Sequence, residues 1–544
     1  MYKYRRIWAI LLALVLLLCA CTQTPDDQVQ NGDSSNSGSN DNTNDNTNDN
    51  TNDNTNDNTN DNTNNGTDGT PGDDAEDNDK KALYTPMYAP SENRTAYTVA
   101  EDHGVLGEGI GVFPGRVVWE YNQNAFQWNG KGYWCLEKNY DVDIVNAMIA
   151  DGIKTLGGES NVNDAWDALF KNYNWRTHGT DGTVGYQKGE KIVIKCNMNG
   201  LSPRNTPTTL NNQMFTPPVL LRALLLSLVE AGVAPEDITV FDASRVIPTY
   251  MQEMCGDGAL KGVRFVYNAR NGVMGQDARA DLTRPIAWSA EFEAYAAATF
   301  YPLCVTEADY MINLSSMKPH TLAGFTASAK NHFGTIMPSK ATGGNYTFPD
   351  NYRDNPPTYA GLHPFAAAMA WNNGPDWTFP ARPMGSYTVL TDLLSNADSG
   401  GKTFLYVMDA LAVTPHQGGN LTTACKWETF GGKWTNSIFF SQDPVAIDSV
   451  AFDFITAEDE AQKQIGGGDA VIGSACLPEG HTAQNYLHEA ALAYDPPSGT
   501  YYHDGYGNYI TSLGTHEHWN NPTDRQYSRN LGLDEGIELV KREP

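Results

Sequence analysis

The sequence predicts an α/β protein: a mostly parallel sheet with helices on both faces, preceded by an aromatic-rich N-terminal region that covers the sheet. Three observations carry this. First, short apolar runs recur and stop at polar residues: 191–197 (KIVIKCN), 238–241 ahead of Asp242, 309–314, 403–408 ahead of Asp409, and 437–440 ahead of Ser441, with 263–267 as a further candidate. Runs of this length bounded by polar residues are the pattern of strands buried on both faces. Second, a strongly apolar helical stretch lies between the first two runs, with Thr216 as its N-cap, Pro217 at its first position and a stop near Glu230-Ala231-Gly232. Strand, helix and strand in that order make the crossover unit of a parallel sheet. Third, helical spacing appears in Val142, Val145, Met148 and Ile149, and again in Trp166, Leu169 and Phe170. Trp119, Trp128, Trp134, Trp166 and Trp175 interleave with apolar residues there, which reads as core rather than as a sugar-stacking surface. Two more helices are expected, from Asp443-Pro444 to Ile455 and over 482–492, ahead of a loop-rich tail.

Five stretches follow in order: 1–21, 22–82, 83–185, 186–495 and 496–544. Residues 1–21 have a basic start (Lys3, Arg5, Arg6), an apolar core and the ending Leu18-Cys19-Ala20-Cys21. This is a secretory signal pattern, too short to span a bilayer comfortably. It resembles a bacterial lipoprotein signal, which implies lipidation of Cys21; a plain signal peptide is the competing reading. The expectation is an exported protein, lipid-anchored in the cell membrane and facing outside the cytoplasm, with Arg5-Arg6 compatible with twin-arginine export. Residues 22–82 repeat Asp-Asn-Thr-Asn six times between Asp41 and Asn64 and are nearly free of apolar residues down to Asp79. Such a segment cannot bury enough surface to offset its ordering entropy, so a disordered acidic tether is expected. Its repeat lacks the glycine turn and closing glutamate of a calcium loop.

The net charge of −29 divides into +3 for 1–20, −15 for 21–79 and −17 for the rest. No basic stripe is present, which excludes nucleic acid as a partner. Six cysteines follow Cys21 (Cys135, Cys196, Cys255, Cys304, Cys425 and Cys476), none at C-x-x-C spacing. No iron-sulfur cluster or zinc knuckle is therefore expected.

Ligand sites in open α/β sheets lie outside the carboxyl ends of the strands. Those ends bring Lys195, Asn197, Asp242, Ser315, Lys318, His320, Asp409 and Asp443 together, and Lys330, Asn331 and His332 arrive one helix-like segment later. Two chemistries fit. His320 and His332, with Asp242, Asp409 or Asp443, supply the donors of a divalent metal ion that activates water. Alternatively Lys195, Lys318 and Lys330 form an anion pocket, with Asn197, Ser315 and Asn331 as binding groups and His320 as general acid or base. His416 is a secondary candidate. Plain readings stand beside these: Asp443 before Pro444 as a helix N-cap, Asp242 and Asp409 as loop-bonding turn residues, and Cys196 as a buried strand cysteine. No glycine cluster forms a dinucleotide fingerprint or a P-loop.

The stretches IVIKCNMN, TPPVLLRALLLSLVEAG with ITVFDASR, ADYMINLSSMKPHTLAGFTASAKNHFG, LYVMDALAV and SQDPVAIDSVAFDFI resemble the bacterial and archaeal family called domain of unknown function 362, over 186–492. The resemblance implies that Lys195, Asn197, Asp242, Lys318, His320, Lys330, Asn331, Asp409 and Asp443 occupy its motif positions. The family has no settled activity; some members carry a ferredoxin-like iron-sulfur module, and this chain departs from them in having no cluster-binding cysteine run. The leading expectation is an enzyme acting on a small anionic molecule, the runner-up a surface receptor that binds a solute or glycan without catalysis, and a third reading is an adhesin-like scaffold with no convergent pocket. The pattern fixes neither substrate nor oligomeric state.

Overall fold

The computed structural model describes residues 103–201, 207–268, 276–290, 299–337, 362–366, 371–372, 378–379, 382–464 and 482–544. The chain divides into two units, Met1–Pro71 and Gly72–Pro544, and every described residue belongs to the second. The signal and tether expectations lie outside the described residues.

Among the described residues nine strands form one sheet: β1 (Arg116–Tyr121), β2 (Ile192–Cys196), β3 (Ile238–Asp242), β4 (Arg264–Tyr267), β5 (Gln276–Asp277), β6 (Tyr310–Ser316), β9 (Thr403–Ala410), β10 (Ser437–Ser441) and β11 (Glu538–Arg542). Between β6 and β9 the chain makes a small hairpin outside that sheet, β7 (Lys318–His320) against β8 (Gly324–Thr326). The sheet order is β11-β1-β10-β9-β6-β2-β3-β4-β5. All neighbours run parallel except at β10, which is antiparallel to both β9 and β1. The sheet is thus mostly parallel, as its continuous apolar runs require.

Alternation along each strand sends side chains to two cores. Ile192, Ile194, Ile238, Val240, Ile312, Leu314, Val407 and Phe440 pack under α1 (Val142–Gly157), α2 (Val162–His178) and α3 (Pro218–Glu230). Val193, Phe241, Met311, Tyr406, Met408 and Phe439 face α5 (Val389–Ser395), α6 (Pro444–Gln464) and α7 (Asn485–Ala491). Helices therefore cover both faces. Asp141 and Asn161 cap α1 and α2 by accepting backbone N–H bonds, and Gly158 and Gly179 close them in the left-handed conformation. Gly152 lets α1 approach the sheet, since a Cβ there would stand 2.4 Å from the Phe440 ring.

The structure corrects several expectations. The N-terminal region does more than cover the sheet: β1 is part of it. The loop-rich tail supplies the edge strand β11. The helix-like segment between the two Lys-His clusters is the β7–β8 hairpin followed by a four-residue helix, α4 (Ser328–Asn331). Thr216 is not the cap of α3, whose N-cap is Pro217 without a side-chain bond. Its hydroxyl instead accepts from Asn197 N at 2.9 Å. Among the described residues all five cysteines carry free thiols.

Candidate functional site

Parallel β2, β3, β6 and β9 end on one side of the sheet, and their register sets the spacing of the polar residues there. Lys195 stands opposite Phe241 on β3 and Asn313 on β6, and Asp409 stands opposite Ser316. Lys195 Nζ donates to Asp242 Oδ2 at 3.0 Å, to Cys196 O at 2.5 Å and to Asn331 Oδ1 at 3.4 Å. Asn331 Nδ2 in turn donates to Asn313 Oδ1 at 2.7 Å and to Lys195 O at 3.2 Å. The other Asp242 oxygen accepts from the Ser244 amide and hydroxyl at 2.8 and 2.9 Å. Lys195 and Asp242 are both almost fully buried, so their ion pair stands only because these bonds saturate it. Ser315 lies beneath, its hydroxyl 3.4 Å from Ser328 Oγ.

Lys318 is wholly buried and donates to Asn197 Oδ1 at 3.2 Å and Met214 O at 3.5 Å. Burial, with the charges of Arg245 and Lys195, brings its pKa down to about 7, against the pull of Asp409. Asp409, equally buried, is pushed up to about 7 by desolvation. One of its oxygens accepts from Leu411 N at 3.1 Å and the other has no hydrogen-bond partner among the described residues. Lys330 sits over the Phe333 ring at 3.6 Å, and burial plus the Arg245 charge lowers its pKa to about 7. Among the described residues Arg245 donates to Ser244 O and Asn199 Oδ1, each at 3.2 Å, both neutral acceptors.

The histidines divide. His320 Nδ1 accepts from the amides of Leu322 and Ala323 at 3.1 and 3.2 Å, so the ring proton sits on Nε2. Burial, then the charge of Lys330, hold its pKa well below the usual value. The ring therefore presents Nε2–H as a hydrogen-bond donor, and among the described residues it belongs to no group of metal-ligating side chains. His332 turns inward toward Tyr406 on β9, fully buried. Asp443 is on the wrong side of the sheet: β10 is antiparallel, so Ser441 pairs with Tyr406 and the strand ends where its neighbours begin. There Asp443 Oδ1 caps α6 through the amides of Val445 and Ala446 at 3.0 and 2.8 Å. The five expected metal donors are accordingly not one cluster. Among the described residues the group whose ligand atoms lie within 4.8 Å of one another is His103, His516 and His518.

His416, half-buried, belongs to the rim of the site. Its Nδ1 accepts from Gly418 N, and the adjoining Gln417 bonds Thr321 of the hairpin. Arg245, Asn313 and Asp448 escaped the sequence reading. Arg245 was legible as the cation three residues past Asp242, whereas Asn313 and Asp448 are visible only through contacts. Asp448 accepts from the amides of Ser328 and Ala329 at 2.7 and 2.9 Å, anchoring α4 and with it Lys330 and Asn331. A cavity of about 820 Å³ lies elsewhere, at the starts of β6 and β9, lined by Asp309, Thr403, Asp398 and Lys402. Its Lys402 is already used, donating to Val305 O and Ala308 O at 2.8 Å and pairing with Asp398.

A doubly covered, mostly parallel α/β sheet with buried lysines at its strand ends is the class these observations define. Residues 192–453 match the family described as Domain of unknown function (DUF362), and the chain carries a domain of that family. No curated protein matches it. Among solved structures, the lactate racemase apoprotein from Thermoanaerobacterium thermosaccharolyticum is similar at 11% identity with a TM-score of 0.27, over 65% of this chain and 63% of that one. A structural-genomics protein from Thermotoga maritima is similar at 10% identity with a TM-score of 0.18, over 37% of this chain and 45% of that one. The chain spans less than two thirds of either structure, and likenesses this distant bring no activity with them.

Proposed function

We propose that the strand-end cluster binds a small anionic molecule and exchanges a proton with it. The observation that carries this is the local charge. In a protein of net charge −29, Lys195, Arg245, Lys318 and Lys330 gather at the strand ends with only Asp242 and Asp409 as carboxylates among the described site residues, and the salt bridge there is Lys195 with Asp242. Cations in excess of the carboxylates in a desolvated site are costly until an anion arrives, which makes the site selective for one. In this reading Lys330 and Arg245 hold the anion and the Nε2–H of His320 donates to it. Lys318 and Asp409, both titrating near neutrality, supply the proton-transfer pair. The lipoprotein-type ending at Cys21 supports an exported, membrane-anchored setting.

Calorimetric titration with sulfate, phosphate and small mono- and dicarboxylates tests the reading. Sulfate stays a dianion across the accessible pH range, so its pH dependence reports the protein. Lysines with pKa values lowered to about 7 are charged below that pH and neutral above it. Sulfate affinity should therefore fall as pH rises through about 7, by up to about tenfold per unit for each lysine. Lys330→Gln should weaken sulfate about tenfold or more, the worth of one charge-assisted bond, and flatten the slope. Asp409→Asn removes the charge that supports Lys318 and should move the inflection to lower pH. Binding that is equal in all three proteins, or absent for every anion at millimolar concentration, would sink the proposal.

A further inference from the structure

Away from the lysines, four histidine rings meet where the short ribbon Leu106–Gly107/Thr515–His516 packs against α6 and α7. Ring centroids lie 4.8 Å apart for His103 and His488, 4.8 Å for His103 and His516, 4.8 Å for His488 and His516, and 5.1 Å for His516 and His518. Two of these rings are aimed by partners behind them. His516 Nδ1 is 2.8 Å from Ser449 Oγ, and His518 Nδ1 is 2.6 Å from Asp453 Oδ1. Asp453 is itself fixed, its second oxygen accepting from Trp519 N at 3.1 Å and Tyr527 Oη at 2.8 Å. Both Nε2 atoms consequently point to one place, 3.2 and 2.9 Å from Gln484 Oε1. A carboxylate or hydroxyl behind the far ring nitrogen is how proteins set the tautomer and direction of metal-binding histidines.

We propose that His103, His516 and His518, with Gln484 Oε1, form a binding site for a divalent transition-metal ion. Tetrahedral zinc with bonds of roughly 2.0–2.1 Å needs donor atoms about 3.3 Å apart. The separations from Gln484 Oε1 already match this, and the three imidazoles, within 4.8 Å of one another, need to close by roughly 1.5 Å at most. Uncharged imidazole donors suit zinc, nickel, cobalt or copper and suit magnesium or calcium poorly. All four donors lie outside residues 192–453, so the site belongs to this chain's additions to the family domain. Its ligands join His103, just ahead of the Leu106–Gly107 strand, to the Thr515–His516 strand and the start of α7. An ion there ties chain segments together, and such binding stabilises the fold by mass action.

The full chain, purified without chelator, then stripped and titrated with Zn²⁺ or Co²⁺, provides the test. One ion per chain is expected, with intense visible absorption from tetrahedral cobalt and a melting temperature that drops on stripping. His518→Ala and His103→Ala should abolish uptake. His103 is only half-buried, so that variant folds even if loss of the other ring proves disruptive. The His320→Ala, His332→Ala double variant should keep the ion, and sulfate binding should be the same in stripped and loaded protein. A folded, stripped chain that takes up neither metal at micromolar concentration overturns the proposal, and so does uptake that survives both single variants. Either result leaves the anion site untouched, because that is read by sulfate.

Discussion

Gly334 has no side chain because the Lys195–Asp242 pair occupies the space: a Cβ there would lie 2.7 Å from Lys195 Nζ and 3.2 Å from Asp242 Oδ2. Both partners are hemmed in by their other bonds, so neither yields cheaply. Gly334→Ala is expected to cost about 1–3 kcal/mol, the usual penalty of overpacking, and to loosen the ion pair. Denaturant melts would register the first effect and a weaker sulfate titration the second; an unchanged midpoint would mean the pair is free to shift. The neighbouring residues show what a sequence can and cannot tell at this scale. Lys-Asn-His at 330–332 is a single motif by eye, yet its three side chains part company. Lys330 lies over Phe333, Asn331 reaches Lys195, and His332 turns to Tyr406. Polar identity was legible; direction depends on a turn that changes from α to 3-10 geometry within those residues.

A four-residue helix such as α4 has too few internal bonds to persist alone, so Lys330 and Asn331 are only as well placed as whatever holds its N-terminus. That is Asp448, kept in position by the Tyr486 hydroxyl at 2.9 Å. Asp448→Asn exchanges a charged double acceptor for a neutral one and should cost about 1.5–3 kcal/mol in urea denaturation, with sulfate affinity falling alongside. If stability dropped while sulfate affinity stayed, α4 would be placed by other contacts. The same helix α6 explains why this residue was overlooked. Asp443 and Asp448 are five residues apart, about 140° round the helix, so one caps α6 while the other points to α4. Strands were legible because apolar runs of their length fit little else. The direction of β10 was not, since a five-residue run reads alike either way. That one reversal carried Asp443 out of the site.

At the scale of the molecule, both flanks of the family domain are built into its sheet: β1 from before it and β11 from the end of the chain lie side by side at one edge. The tail was expected to be loop-rich, and it largely is, but β11 pairs with β1 over Glu538 to Arg542 and buries Ile537 and Leu539 beneath it. Glu517 Oε1 reaches across to accept from Ile537 N at 2.5 Å, linking this edge to the histidine segment. Truncation after Leu533 would remove two buried aliphatic side chains worth about 1.5–3 kcal/mol each, together with the ladder that covers β1. That is a large part of the roughly 5–15 kcal/mol a domain has to spare, and it leaves β1 as an exposed edge. The loss should be local first, because Lys195 on β2 lies five strands in from β11. Hydrogen exchange of the truncated chain is then expected to show rapid exchange over 116–121, retained protection over 192–196 and 310–316, and sulfate binding intact while the protein is folded. Uniform loss of protection would mean that the edge and the site fold as one unit. Unchanged protection of β1 would mean that β10 alone suffices to hold it.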